Sequence, residues 1–270
     1  MVYLKNIQEV QSLRASATLV SKTLAEVAGH IRPGITTGAL DAVAEAFIAG
    51  HGGTPGFKGY KVGPRTFPAT LCISVNEEVV HGIPGGYALQ EGDLVTVDCG
   101  VRLNGFYGDS AYTFAVGELT ADKVQLCRVT YEALNLGIEA STVGHRIGDI
   151  SGAIQAHCES HGYGVVRDLV GHGIGRSLHE DPQVPNYGRR GTGRKLKEGM
   201  TLCIEPMINA GTYEVTTRED GWTVVTIDAS PSAHYEHMVF VRRGEAEVLS
   251  TFSYIEALIE APYTIELTNG

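Results

Sequence analysis

The sequence predicts an α+β fold built from two similar halves, about 1–117 and 118–270, packed into a single domain spanning 1–270. Three observations predict it. The order of element types repeats, two amphipathic helices followed by β-rich segments, twice along the chain. Two segment pairs match at nearly one offset: GALDAVAEAFIAGHG (38–52) with GDISGAIQAHCESHG (148–162) at 110 positions, and LQEGDLVTVD (89–98) with LKEGMTLCIE (196–205) at 107. An Asn104-Gly105 step between two β-rich runs is a strong hairpin signal. Halves that cannot each cover their own sheet are expected to share one core, with a site where they meet.

Each element has a local reason. Residues 7–31 read as a helix, because Val20, Leu24, Val27 and Ile31 form one apolar stripe. Pro33-Gly34 stops it. A second helix follows with Thr37 as its N-cap and Leu40, Val43 and Phe47 on its apolar side, ending at Gly50, Gly52 and Gly53. Residues 54–68 are too irregular to assign. β texture then runs through ATLCISV, DLVTVDCGVRL and FYGDSAYTFAV. Helices return over 120–139, where Val124, Cys127, Tyr131, Leu134 and Ile138 keep helical spacing, and over 147–161. The last third returns to β texture in YGVVRDLVG, MTLCIEPMIN, WTVVTID, HYEHMVFVRR and EAEVLST.

Composition narrows the function. With 31 acidic against 21 basic residues the formal charge is −10, which argues against a general nucleic-acid binder. No stretch reaches the ~18 apolar residues of a membrane span. The N-terminal segment lacks the apolar core of a secretory signal. Cys72, Cys99, Cys127, Cys158 and Cys203 are scattered and odd in number, which fits reduced thiols and a cytoplasmic location better than a disulfide framework.

The chemistry-bearing residues are few. A two-residue turn at Asn104-Gly105 would set Asp98 opposite Ala111, with Asp109 diagonal to Asp98 on the same face. Such a pair either shares a cation or stands as solvated charge on an exposed face. His172 lies in Gly171-His172-Gly173-Ile174-Gly175, and His179 follows in HEDP. A lone histidine is more often structural than a ligand, although the glycines suit a crowded functional loop. Glu205 in TLCIEPMIN and Glu236 in AHYEHMVFV are acids within apolar strands, a costly arrangement unless a metal or a salt bridge neutralises them. Strand alternation would put His234 and Met238 on the face of Glu236, and Tyr235 and His237 on the other. His81 in EEVVHGIP reads on its own as a loop histidine. Together these residues form an oxygen-rich set, too acidic for one structural zinc and suited to two divalent ions.

This combination resembles the type I methionine aminopeptidases of the pita-bread fold. The resemblance is carried by SVNEEVVHGIP (74–84), VDCGVRLNGFYGD (97–109), GHGIGRSLHEDPQVPNY (171–187), IEPMINAG (204–211), DGWTV (220–224) and YEH (235–237). It implies a hydrolase that removes the initiator methionine from nascent polypeptides in the cytoplasm. It implies two divalent ions, of Co, Mn, Fe or Zn, held by Asp98, Asp109, His172, Glu205 and Glu236, with Asp109 and Glu236 as bridging carboxylates. A water between the ions would be the nucleophile and Glu205 its general base. His81 and His179 would contact the substrate about the scissile bond. Phe57, Tyr60, Cys72, Leu178 and Trp222 match positions lining the methionine pocket. The segment KVGPRTFPAT (61–70) is longer than in the simplest bacterial members, and Leu169 replaces a residue that is usually aromatic or Met.

Other readings on the same fold are a Pro-specific aminopeptidase or dipeptidase and a non-catalytic peptide-binding protein. The Pro-specific enzymes carry a sizeable N-terminal domain, whereas helices of the catalytic type begin here within about ten residues of Met1. Type II methionine aminopeptidases carry an insertion before the last ligand, whereas Glu205 and Glu236 are 31 positions apart. Non-catalytic relatives lose ligands, and here every ligand position holds a coordinating type. A monomer is expected. Any contact with a ribosome would use the surface of the catalytic domain.

Overall fold

A computed structural model of the chain describes residues 2–262. The span predicted for the single domain includes residue 1 and residues 263–270, which lie outside the described residues. Among the described residues, no helix is long and apolar enough to cross a membrane.

The first helix, Ile7–Ala28, begins at a capping box in which Asn6 and Glu9 exchange side-chain-to-backbone hydrogen bonds. It buries Val10, Leu13, Ala17, Val20, Leu24 and Val27 against the strand Phe106–Ala115. The approach is close because Gly108 lacks a side chain: a Cβ there would stand 2.5 Å from the Ala17 nitrogen. The helix ends at Ala28, earlier than the predicted residue 31, and Gly29 caps it. The second helix, Thr37–Gly50, is capped by Thr36 and not by Thr37, since the Thr36 side chain accepts the Ala39 amide. Asp41 on this helix accepts the amides of Thr70 and Leu71, which fixes the start of the strand Leu71–Val75.

The first sheet is four-stranded. Leu94–Leu103 is its centre, with Leu71–Val75 and Thr54–Pro55 on one edge and Phe106–Ala115 on the other. The turn forms at Asn104-Gly105, both with positive φ (53° and 81°), as a hairpin with the native strand twist requires. Asp98 pairs with Ala111 and Asp109 with Gly100, the register expected from the turn. The segment 54–68, left unassigned, contains a small hairpin in which Lys61–Val62 pairs with Arg65–Thr66.

In the second half, helices Ala121–Glu139 and Ile147–Ser160 pack together. The stretch expected to be one strand through Glu205 divides into Thr201–Ile204 and Met207–Asn209. HYEHMVFVRR divides likewise: Ser232–His234 joins a three-stranded sheet, and His237–Phe240 joins a five-stranded one. Simple alternation therefore does not run through Glu236, although Tyr235 and His237 both still reach Phe252, at ring-centroid distances of 6.3 and 3.9 Å.

Candidate active site

The two strand breaks make the site. Ile204 pairs with His237, so Glu205 and Glu236 leave the five-stranded sheet at the same end. Pro206, which has no N–H, follows Glu205 where ladder pairing stops. Asn186 Nδ2 donates to the Glu205 carbonyl at 2.9 Å. Glu236 is tied to the first sheet: its amide donates to the Ala111 carbonyl at 2.9 Å, and the Ser110 hydroxyl donates to its carbonyl at 2.6 Å. The seam between the halves thus sets Glu236 beside Asp109 from one direction and Glu205 from the other.

His172 arrives on the short strand Gly171–Gly173, which lies between Glu180–Val184 and Thr201–Ile204. Its flanking glycines are steric necessities, because a Cβ on Gly171 would collide with the Cys203 carbonyl and one on Gly173 with the Asp181 carbonyl. His172 Nδ1 donates to the Gly173 carbonyl at 2.9 Å. Its Nε2 therefore carries the lone pair, 3.5 Å from Glu205 Oε1 and 3.8 Å from Asp109 Oδ2. His179 lies against it, with ring centroids 4.3 Å apart. The Tyr60 hydroxyl is 2.6 Å from His179 Nδ1. His81 takes a positive φ of 61°, an uncommon conformation for a residue with a side chain.

A cavity of about 300 Å³ brings the predicted residues together. Asp98, Asp109, His172, Glu205 and Glu236 line it, as do His81, His179, Phe57, Tyr60, Cys72, Leu178 and Trp222. Phe57 reaches it by lying over Gly100, where a Cβ would stand 2.6 Å from the ring. Sequence reasoning missed Val62 and Phe67, which also line the cavity. It missed Cys203 as well, which stands with Asp109, His172 and Glu236 in a group whose ligand atoms all lie within 4.8 Å of one another. The signal was available, since Cys203 is two positions before Glu205.

The electrostatics call for cations. Burial raises the carboxyls of Asp98, Asp109, Glu205 and Glu236, and mutual repulsion adds to it: Glu236 and Asp98 act on Asp109, Asp98 and Asp109 on Glu205, and Glu205 and Asp98 on Glu236. Burial, with a smaller push from His179, lowers His172 to about 3 and His81 to about 4, so both imidazoles are neutral at pH 7. Asp98 Oδ1, Asp109 Oδ1 and Glu236 Oε1 are buried without a hydrogen-bond partner. Buried acceptors left empty beside like charges are what a bound divalent ion satisfies. The oxygen-rich donor set with one imidazole fits Mn²⁺, Fe²⁺, Co²⁺ or Zn²⁺.

Comparison with known proteins agrees with this geometry. The profile of metallopeptidase family M24 matches residues 11–243. The chain belongs to metallopeptidase family M24. A methionine aminopeptidase from Clostridium perfringens is 51% identical over 250 residues, covering 93% of this chain and 99% of that protein. Methionine aminopeptidase 1 of Bacillus subtilis is 45% identical, covering 93% of this chain and 99% of its own. The crystal structure of the methionine aminopeptidase from Thermotoga maritima superposes with a TM-score of 0.90 at 43% identity, covering 93% of this chain and all of that one. A prolidase from Pyrococcus furiosus, at 20% identity and a TM-score of 0.73, shares the fold alone. The α+β pita-bread fold of M24 is thus the fold of this chain, and as an M24 member it is a hydrolase that uses divalent metal.

Proposed function

We propose that this chain is an aminopeptidase that removes methionine from the amino terminus of nascent polypeptides in the cytoplasm, acting as a monomer with two divalent ions. The observation that carries the reading is an apolar pocket opening directly onto buried, unpartnered carboxylate oxygens. The similarity to proteins named methionine aminopeptidase supports the choice of substrate.

Asp98, Asp109, His172, Glu205 and Glu236 would hold the ions. Bound there, divalent ions supply Lewis acidity and a water acidified enough to attack a carbonyl near neutral pH. Glu205 would be the base, accepting a proton at its carboxylate and returning it to the leaving amine. Burial keeps His179 neutral. A Tyr60 hydroxyl that donates to Nδ1 would leave the Nε2–H to donate to the substrate carbonyl as negative charge grows there. His81, which lines the same cavity, would also contact the substrate about the scissile bond. Phe57, Cys72, Leu178 and Trp222 offer an apolar lining that suits the unbranched, polarisable methionine side chain.

The test is hydrolysis of Met-Ala-Ser against Leu-Ala-Ser and Met-Pro-Ser, with the metal content of the protein measured alongside. Release of methionine from Met-Ala-Ser, abolished by a chelator and restored by a divalent ion, is the expected result. Preferential cleavage before proline, or tight peptide binding without cleavage in metal-replete protein, would overturn it.

A further inference from the structure

The segment in which the sequence departs from the family pattern forms the small hairpin at the cavity mouth. It grows directly out of the site, because the Phe67 amide donates to the Tyr60 carbonyl at 2.8 Å, one rung below the Lys61–Thr66 pair. It is clipped at its far end to the turn that carries Trp222. Arg65 Nη1 donates to the Gly221 carbonyl at 2.6 Å, and its guanidinium lies so close that a Cβ on Gly221 would stand 2.9 Å from it. Phe67 meets Trp222 edge to face, with centroids 5.3 Å apart. The turn is itself anchored: Asp220 accepts the Trp222 and Thr223 amides, and Arg218 reaches Glu77 and Glu78. Two unrelated segments therefore close on each other over one side of the cavity.

At the lip of this clamp sits Val62. It lines the cavity and is 55% exposed, an apolar side chain held at the mouth on a short two-stranded arm. A cavity of about 300 Å³ accommodates one side chain and the bond to be cut, so the rest of a peptide lies outside it, where Val62 offers exposed apolar surface at the rim. We infer that the hairpin Lys61–Thr66, clipped by Arg65 to Gly221, is a specificity arm whose Val62 contacts apolar side chains of the substrate beyond its second residue. The inference rests on the aminopeptidase reading, and it adds a preference among substrates that share their first two residues.

The chain's single tryptophan is Trp222, so its fluorescence reports binding at the clamp. The probes are analogues of Met-Ala and Met-Ala-Ile-Leu with the first amide replaced by a non-hydrolysable CH₂–NH link, titrated into the metal-loaded protein. The longer analogue is expected to bind about 5-fold tighter, the scale of partly burying one aliphatic side chain. Val62→Asp and Arg65→Ala should each cut that advantage to under about twofold. A Met-Ala-Ser-Asn analogue should show little advantage over Met-Ala in any form of the protein. Equal affinities for short and long analogues in the wild type, or an advantage that survives both variants, would overturn the inference. Hydrolysis assays on the corresponding peptides separate the two readings. No release of methionine, with the length dependence intact, rejects the aminopeptidase and leaves the arm standing.

Discussion

The hydroxyl of Tyr60 lies 2.6 Å from Nδ1 of His179. Burial raises the phenol and lowers the imidazole, so both partners are neutral and the bond is an ordinary one between uncharged groups. Its consequence is the choice of tautomer, since a phenol that donates to Nδ1 puts the imidazole proton on Nε2. Tyr60→Phe keeps the ring and removes the donor. The expected outcome is a drop in kcat of about 2- to 10-fold, the worth of one neutral hydrogen bond, with KM and metal content nearly unchanged. Steady-state kinetics with elemental analysis checks it. His179→Ala should lower kcat by about 100-fold or more at constant metal content, the scale of a lost oxyanion donor.

Asp109 is 3% exposed and has a buried oxygen without a partner. Asp109→Asn replaces a charge with a neutral amide at the centre of the acidic group. Metal affinity should fall by about 10-fold or more, and activity should fall with it. Isothermal titration of the metal-stripped protein measures the first and peptide hydrolysis the second. Full activity at normal metal content would remove Asp109 from the ligand set.

Gly171 and Gly173 admit the His172 strand between two carbonyl-bearing neighbours. Gly171→Ala should force that backbone apart and cost roughly 1–3 kcal/mol of stability, as overpacking usually does. Because His172 is the next residue, metal content should drop as well. Urea unfolding and elemental analysis of the same sample test both effects.

Asp220 offers a pH-dependent control on the Trp222 turn. Burial alone would raise its carboxyl, but bonds from the Thr223 hydroxyl and the Trp222 and Thr223 amides, with the Arg218 charge, bring it below its ordinary value. A carboxyl lower in the folded than in the unfolded state stabilises the fold above the unfolded pKa of about 3.9, and that gain is lost as pH falls through the folded value. Asp220→Asn should therefore shift the urea midpoint at pH 7 and have a smaller effect near pH 2, below the folded value. An equal shift at both values would show that the charge is irrelevant to the turn.

Much of the site was legible because it depends on local rules. The Asn104-Gly105 turn fixes the register, and the register puts Asp98 opposite Ala111 without any knowledge of the rest of the fold. Glu205 and Glu236 stood out as acids in apolar strings. What the strings concealed was that each acid sits at a strand break, where the chain passes between sheets. The hairpin at 61–66 was illegible for a different reason. Its anchors are Gly221 and Trp222, more than 150 positions away, and nothing in its own composition announces them. Thr36 and Thr37 are adjacent cap-forming residues, and only the hydrogen bond to Ala39 decides between them.

The grip of Ser110 and Ala111 on Glu236 also makes the site depend on a late part of the chain. The residues up to Glu205 include Asp98, Asp109 and His172, and the strand Phe106–Ala115 is already paired with Leu94–Leu103, yet the Ala111 carbonyl and the Ser110 hydroxyl keep Glu236 as their partner from farther along the chain. A chain truncated before Glu236 would lose one of the five clustered acid and imidazole groups together with the two hydrogen bonds that fasten this stretch to the first sheet.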